Sequence, residues 1–129
     1  MDISRKVLIV DDTANARETL SDIFHEKGFS RVLTAAGGRA GLELARKELP
    51  DVILMDIDMP DMNGGDVIAE LQKHPETKDV PVIFISGLVH KDSEGRDGVN
   101  IRGQWYPAIA KPFKHKILFE RIEEYITKR

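Results

Sequence analysis

Residues 52–65 read VILMDIDMPDMNGG. Val52–Met55 is a short, continuous apolar run, the pattern of a strand buried on both faces of a sheet. It ends in Asp56, and Asp58 and Asp61 follow almost at once. Two carboxylates about 5 Å apart repel by roughly 3 kcal/mol at an effective dielectric near 20, so such a strand end calls for a compensating group.

The same grammar recurs on either side. Lys6–Val10 is a β-branched run that stops at Asp11-Asp12, and Thr13 is suited to cap the helix that follows. In that helix Leu20, Ile23, Phe24 and Lys27 share a face, and Gly28 is its stop signal. Arg31–Ala36 reads as a second strand. Gly37-Gly38 turns the chain into a helix seeded by Ala40, Leu42, Leu44 and Ala45 and ended by Pro50. Val67, Ile68 and Leu71 mark a third helix, and Val82–Ile85 a fourth strand. Tyr106–Ala110 predicts a short fifth strand broken by Pro107. Lys114–Lys128 predicts a last helix, with Leu118, Ile122 and Ile126 at i, i+4 and i+8.

Alternating strands and helices predict an α/β fold with a parallel sheet covered on both faces, and right-handed crossovers make it doubly wound. The segment 87–104 resists the alternation. It is polar and holds Gly87, Gly95, Gly98 and Gly103. The scheme predicts a fourth helix there, short or mobile.

Composition sets the outer bounds. A chain of 129 residues suits one domain spanning 1–129 with a single core, and a net charge of −3 implies no broad basic field for nucleic acid. Every charged residue from Asp51 to Glu70 is acidic. The absence of cysteine excludes disulfides and thiolate sites. No apolar run approaches a membrane span, and the start is too short for a signal peptide, so the cytoplasm is the expected compartment.

In a doubly wound sheet the site lies beyond the carboxyl ends of the strands. Asp11, Asp12, Asp56, Ser86 and Lys111 each fall just after an apolar strand. Oxygen-only ligands suit Mg²⁺ rather than zinc. Lys111, in IAKPF, can pair with Asp56 at rest and with an added anion later; the Lys111–Pro112 bond is open to cis geometry. Ser86 lacks the flanking glycines of a hydrolase elbow, because Phe84 and Leu88 occupy those positions, so it reads as a hydrogen-bond donor to an oxyanion or as a turn cap. Carboxylates, a metal, a lysine and a hydroxyl at one point make a phosphoryl site, with Asp56 the candidate nucleophile.

The Asp11-Asp12 pair, Asp56 in LMDIDMPDMNG, Ser86 in FISG and Lys111-Pro112 in KPF resemble the receiver domain of two-component response regulators, of the chemotaxis-regulator kind. The resemblance implies a flavodoxin-like (βα)5 sheet in order 2-1-3-4-5. It implies that Asp56 accepts phosphate from a histidine kinase or phosphotransfer protein. Asp12 and Asp56 would bind Mg²⁺ through side chains, Asp58 through its backbone carbonyl, and Asp11 mainly through water. Lys111 would contact the phosphoryl group and Ser86 would move toward it. Signalling would run through the surface of the fourth helix, fifth strand and last helix to a downstream protein target or output domain, with no output domain in this chain. A phosphorylation-dependent homodimer is one assembly the family allows. The chain would act catalytically only on itself. One departure concerns the family's aromatic residue three before the lysine, where this chain has Ala108; Trp105 or Tyr106 would have to take its place. A second is the longer, glycine-rich stretch before Lys111.

Rival readings exist. A strand followed by D-x-D also opens haloacid-dehalogenase-like phosphatases, with Asp56 as nucleophile and Asp58 as acid, although their further acids lie downstream rather than upstream. AAGGRAG lacks the spacing of a dinucleotide loop. An adaptor that never takes phosphate would not need Asp12, Asp56 and Lys111.

Overall fold

The computed structural model describes residues 2–127. Strands β1 (Val7–Val10), β2 (Val32–Ala35), β3 (Val52–Asp56) and β4 (Val82–Ser86) alternate with helices α1 (Ala14–Lys27), α2 (Gly38–Glu48) and α3 (Gly64–Gln72). Strands β5 (His90–Lys91), β6 (Asp97–Ile101) and β7 (Gln104–Ala110) follow, and α4 (His115–Thr127) closes the fold. The expectation for the last helix ran to Lys128, which lies outside the described residues.

The sheet order is β2-β1-β3-β4-β7-β6-β5. Its first five strands are parallel, which is the expected 2-1-3-4-5 arrangement with β7 as the fifth strand. Strand period sorts the core onto two faces. Val7, Ile9, Leu54, Ile83, Ile85 and Ile109 meet Leu20, Ile23 and Phe24 of α1 and Leu118 and Ile122 of α4. Leu8, Val10, Ile53, Met55, Phe84 and Ala108 meet Ala45 of α2 and Val67, Ile68 and Leu71 of α3. Each fully buried Leu, Ile or Val contributes about 1.5–3 kcal/mol, so the central strands tie both helical layers into one body. Gly28 ends α1 in the left-handed region at φ 112°, as its stop signal predicted. Thr13 holds the N-cap position of α1, but its side chain makes no capping bond.

The expected fourth helix is not there. Residues 87–104 instead run into two antiparallel strands that lengthen the sheet, β5 on β6 and β6 on β7. The reason is local chemistry. The apolar residues in this stretch do not recur at helical spacing, whereas its turn residues match hairpins. Asp92 caps one turn, its carboxylate accepting from Glu94 and Arg96 N–H at 2.9 Å each. The β6–β7 turn is the pair Arg102-Gly103, with φ 52° and 84°, the conformation of a two-residue hairpin loop. Gly98 leaves room for the Trp105 ring, which a Cβ would meet at 2.4 Å. Nor does Pro107 break the last strand: β7 runs through it, opposite Gly98.

The hairpin is fastened at both ends. Arg102 forms an ion pair with Asp66 in the first turn of α3. Tyr125 of α4 donates its hydroxyl to the Asp97 carbonyl at 3.0 Å. Val99 is buried and Ile101 packs on the α3 face, so the two strands cover apolar surface that the missing helix would otherwise cover.

Candidate functional site

Register brings the strand ends into line. Val10 pairs with Met55, Asp56 with Ile85, and Ser86 with Ala110. The residues just past these pairs therefore meet at one rim of the sheet. One carboxylate oxygen each from Asp11, Asp12 and Asp56 lie within 4.8 Å of one another. Asp11 is buried, Asp56 half-buried and Asp12 exposed.

Local bonds hold each acid. Asp11 Oδ1 accepts the Thr13 N–H at 2.9 Å, and the Arg17 guanidinium donates to the Asp11 carbonyl at 2.7 Å. Asp56 Oδ1 accepts the Ile57 N–H at 3.0 Å. Burial holds the Asp56 carboxyl above the usual carboxylate range, and the neighbouring Asp11 and Asp12 push the same way; Lys111 and the Ile57 N–H pull it down. The oxygen-only donor set and this mutual repulsion fit a hard divalent cation such as Mg²⁺.

Lys111 is exposed and close enough for its charge to act on Asp56, yet it has no ion-pair partner within 4.0 Å among the described residues. Its N–H donates to the Ser86 carbonyl at 2.8 Å, and its bond to Pro112 is cis. Ser86 Oγ accepts the Leu88 N–H at 3.1 Å, the turn-capping role. Asp58 is exposed. Of the two rings near Ala108, Tyr106 lies against Phe84 edge to face at 5.9 Å, while Trp105 lines a cavity with Arg96, Pro107 and Tyr125. Ala108 itself is fully buried.

Asp61 parts from the other acids. Its carboxylate accepts from Gly38 N–H at 3.0 Å, Arg39 N–H at 2.9 Å and Met62 N–H at 2.9 Å. These bonds, from Arg39 first and Gly38 next, hold its carboxyl below the usual range. It thus caps α2 from a distant loop, where the N-cap residue Gly37 has no side chain to do so. Sequence reasoning noted Asp61 just after Asp56 and Asp58 and gave it no role of its own. The signal that could have separated it is a helix opening on Gly37-Gly38 with no capping residue of its own.

Comparison with known proteins agrees with this architecture. The family described as response regulator receiver domain matches residues 7–123. Protein PilH of Pseudomonas aeruginosa is 42% identical over 122 residues, covering 95% of this chain and 98% of its own. The crystal structure of chemotaxis protein CheY4 of Vibrio cholerae aligns with a TM-score of 0.77 at 26% identity, covering 95% of this chain and 98% of its own. The receiver domain of sensor histidine kinase PA1611 from Pseudomonas aeruginosa, solved with a magnesium ion coordinated in the active site cleft, shares the fold with a TM-score of 0.80 at 23% identity, covering 96% and 98% of the two chains. The haloacid-dehalogenase reading loses its footing, since its D-x-D should follow the first strand and here follows the third, β3.

Proposed function

The chain belongs to the response regulator receiver family, a family of signalling modules, and from that premise we propose that it takes a phosphoryl group onto Asp56 with Mg²⁺ bound beside it. The observation that carries the reading is the convergence of Asp11, Asp12 and Asp56 at one sheet rim, with Lys111 acting on Asp56. An Asp56 carboxylate oxygen attacks phosphorus, the phosphorus–nitrogen bond of a phosphohistidine breaks, and the imidazole leaves with the bonding pair and takes up a proton. Asp12 and Asp56 would hold the cation by side chain, with the Asp58 carbonyl and, through water, Asp11 completing the set. When bound, Mg²⁺ neutralises charge on the transferring group. Lys111, with no ion-pair partner among the described residues, answers the added charge, and Ser86 turns its hydroxyl from Leu88 to a phosphoryl oxygen.

The donor is a histidine kinase or phosphotransfer protein, and the receiver of the signal a downstream protein. The chain acts catalytically only on its own phosphorylation and dephosphorylation, as one receiver unit in the cytoplasm. No helix among the described residues is long and apolar enough to cross a membrane. The output surface is the hairpin β5–β6 with β7 and α4, in place of a fourth helix. Incubation with acetyl phosphate and Mg²⁺, followed by intact mass, tests the assignment: wild type gains one phosphoryl group and Asp56→Asn none. Equal labelling of both would refute it.

A further inference from the structure

The loop from Ile57 to Asn63 carries Asp58 and so one side of the proposed cation site. It is closed at its far end by the Gly64 N–H on the Ile57 carbonyl at 2.8 Å. Between those ends Met59 packs into the core and Asn63 caps α3, and Asp61 ties the loop to α2, its two carboxylate oxygens taking that helix's first two amides, Gly38 at 3.0 Å and Arg39 at 2.9 Å. The third bond, from Met62, turns the carboxylate back on its own loop. The approach is tight: a Cβ on Gly37 would stand 2.9 Å from Asp61 Oδ1. A main-chain carbonyl can ligate a cation repeatedly in one geometry only if the chain on both sides is held. On one side of Asp58 lies Ile57, donating to Asp56; on the other lies Asp61, docked on α2.

We infer that Asp61 is a positioning residue for the cation site: by docking on the amino end of α2 it fixes the loop that presents the Asp58 carbonyl, and thereby sets the affinity for Mg²⁺. This rests on the metal reading above. Asp61 touches neither the cation nor the phosphoryl group; it acts through the backbone between residues 58 and 61.

Isothermal titration with Mg²⁺ alone, at constant ionic strength and well below each variant's melting temperature, tests it. Asp61→Ala should weaken Mg²⁺ binding by about tenfold, the scale of losing a supporting partner. Asp61→Asn keeps one carbonyl acceptor and should fall between that variant and wild type. Gly37→Ala, which leaves the carboxylate intact but crowds it from its seat, should weaken binding in the same direction and serves if Asp61→Ala does not fold. Asp66→Ala, in α3 and paired with Arg102, should bind as wild type does. If wild type binds Mg²⁺ in an Asp56-dependent way and both Asp61→Ala and Gly37→Ala match it, the positioning role is wrong while the site stands. If wild type gives no more heat than Asp56→Asn, the site itself is wrong and this inference goes with it.

Discussion

Ser86 Oγ and the backbone N–H of Leu88 are joined at 3.1 Å, so the hydroxyl proposed to meet the phosphoryl group is engaged at rest by the first turn of the segment leading to the hairpin. A hydroxyl that accepts from Leu88 can still donate its own proton, but turning toward Asp56 breaks the 86–88 turn. Site and output surface are thus two residues apart in the chain. With beryllofluoride and Mg²⁺, the Leu88 amide resonance should shift strongly in wild type. In Ser86→Ala it should start displaced and respond far less. Identical Leu88 shifts in the two proteins would show that this bond plays no part in switching.

Metal-free stability should depend on pH through Asp56. Burial and the neighbouring acids raise its carboxyl pKa in the folded chain. The folded form therefore binds that proton more tightly than the unfolded form, and this group costs stability as pH rises from the ordinary carboxylate range through the raised value, with the full cost present above it. Asp56→Asn removes the cost. In chelator at about pH 7 the variant should be the more stable of the two, by an amount that solvent screening keeps small. The gap should close as the pH falls below the ordinary carboxylate range. Thermal melts across that range check both sign and window; a wild type more stable than the variant at neutral pH contradicts it.

The hairpin can be tested through its closest contact. Gly98→Val places a side chain where the Trp105 ring lies, a Cβ already meeting it at 2.4 Å. Overpacking of this kind costs about 1–3 kcal/mol. Urea unfolding should show that loss, and Trp105 fluorescence should shift in the folded state. A helix over 87–104 would tolerate valine with little change in either reading.

The tether between the hairpin and α3 should be weak by itself. Arg102 and Asp66 are both substantially exposed, and exposed pairs contribute about 0.2–1 kcal/mol. A double-mutant cycle with Arg102→Ala and Asp66→Ala should return a coupling in that range, falling with salt. By contrast Leu118→Ala, in the core under α4, should cost about 2–5 kcal/mol.

Legibility followed the range of the forces involved. Val7–Val10 and Val52–Met55 announced buried parallel strands because both their faces are covered, and Gly28 announced a helix end because only its φ of 112° was needed. The candidate site could be assembled for the same reason: once strands are ordered, their ends are neighbours. Segment 87–104 was misread because alternation of strand and helix outweighed its own content. Asp92, Gly95, Arg102 and Gly103 are turn residues at hairpin spacing, and Pro107 was tolerated because it sits where β7 passes from β4 to β6. The partners of Asp61 on α2 were missed because Gly38 and Arg39 are backbone amides more than twenty residues away, and only the uncapped Gly37-Gly38 start of that helix hinted at them.

The stub at the end of the sheet also bears on solubility. An uncovered strand offers its main chain as a template for another molecule's backbone. Here the outermost strand is only His90–Lys91, and Lys91 is salt-bridged to Asp97. Where it covers Asp97 and Gly98 of β6, so short and charged a margin gives an incoming chain little to zip against and makes a poor seed for fibrous self-association.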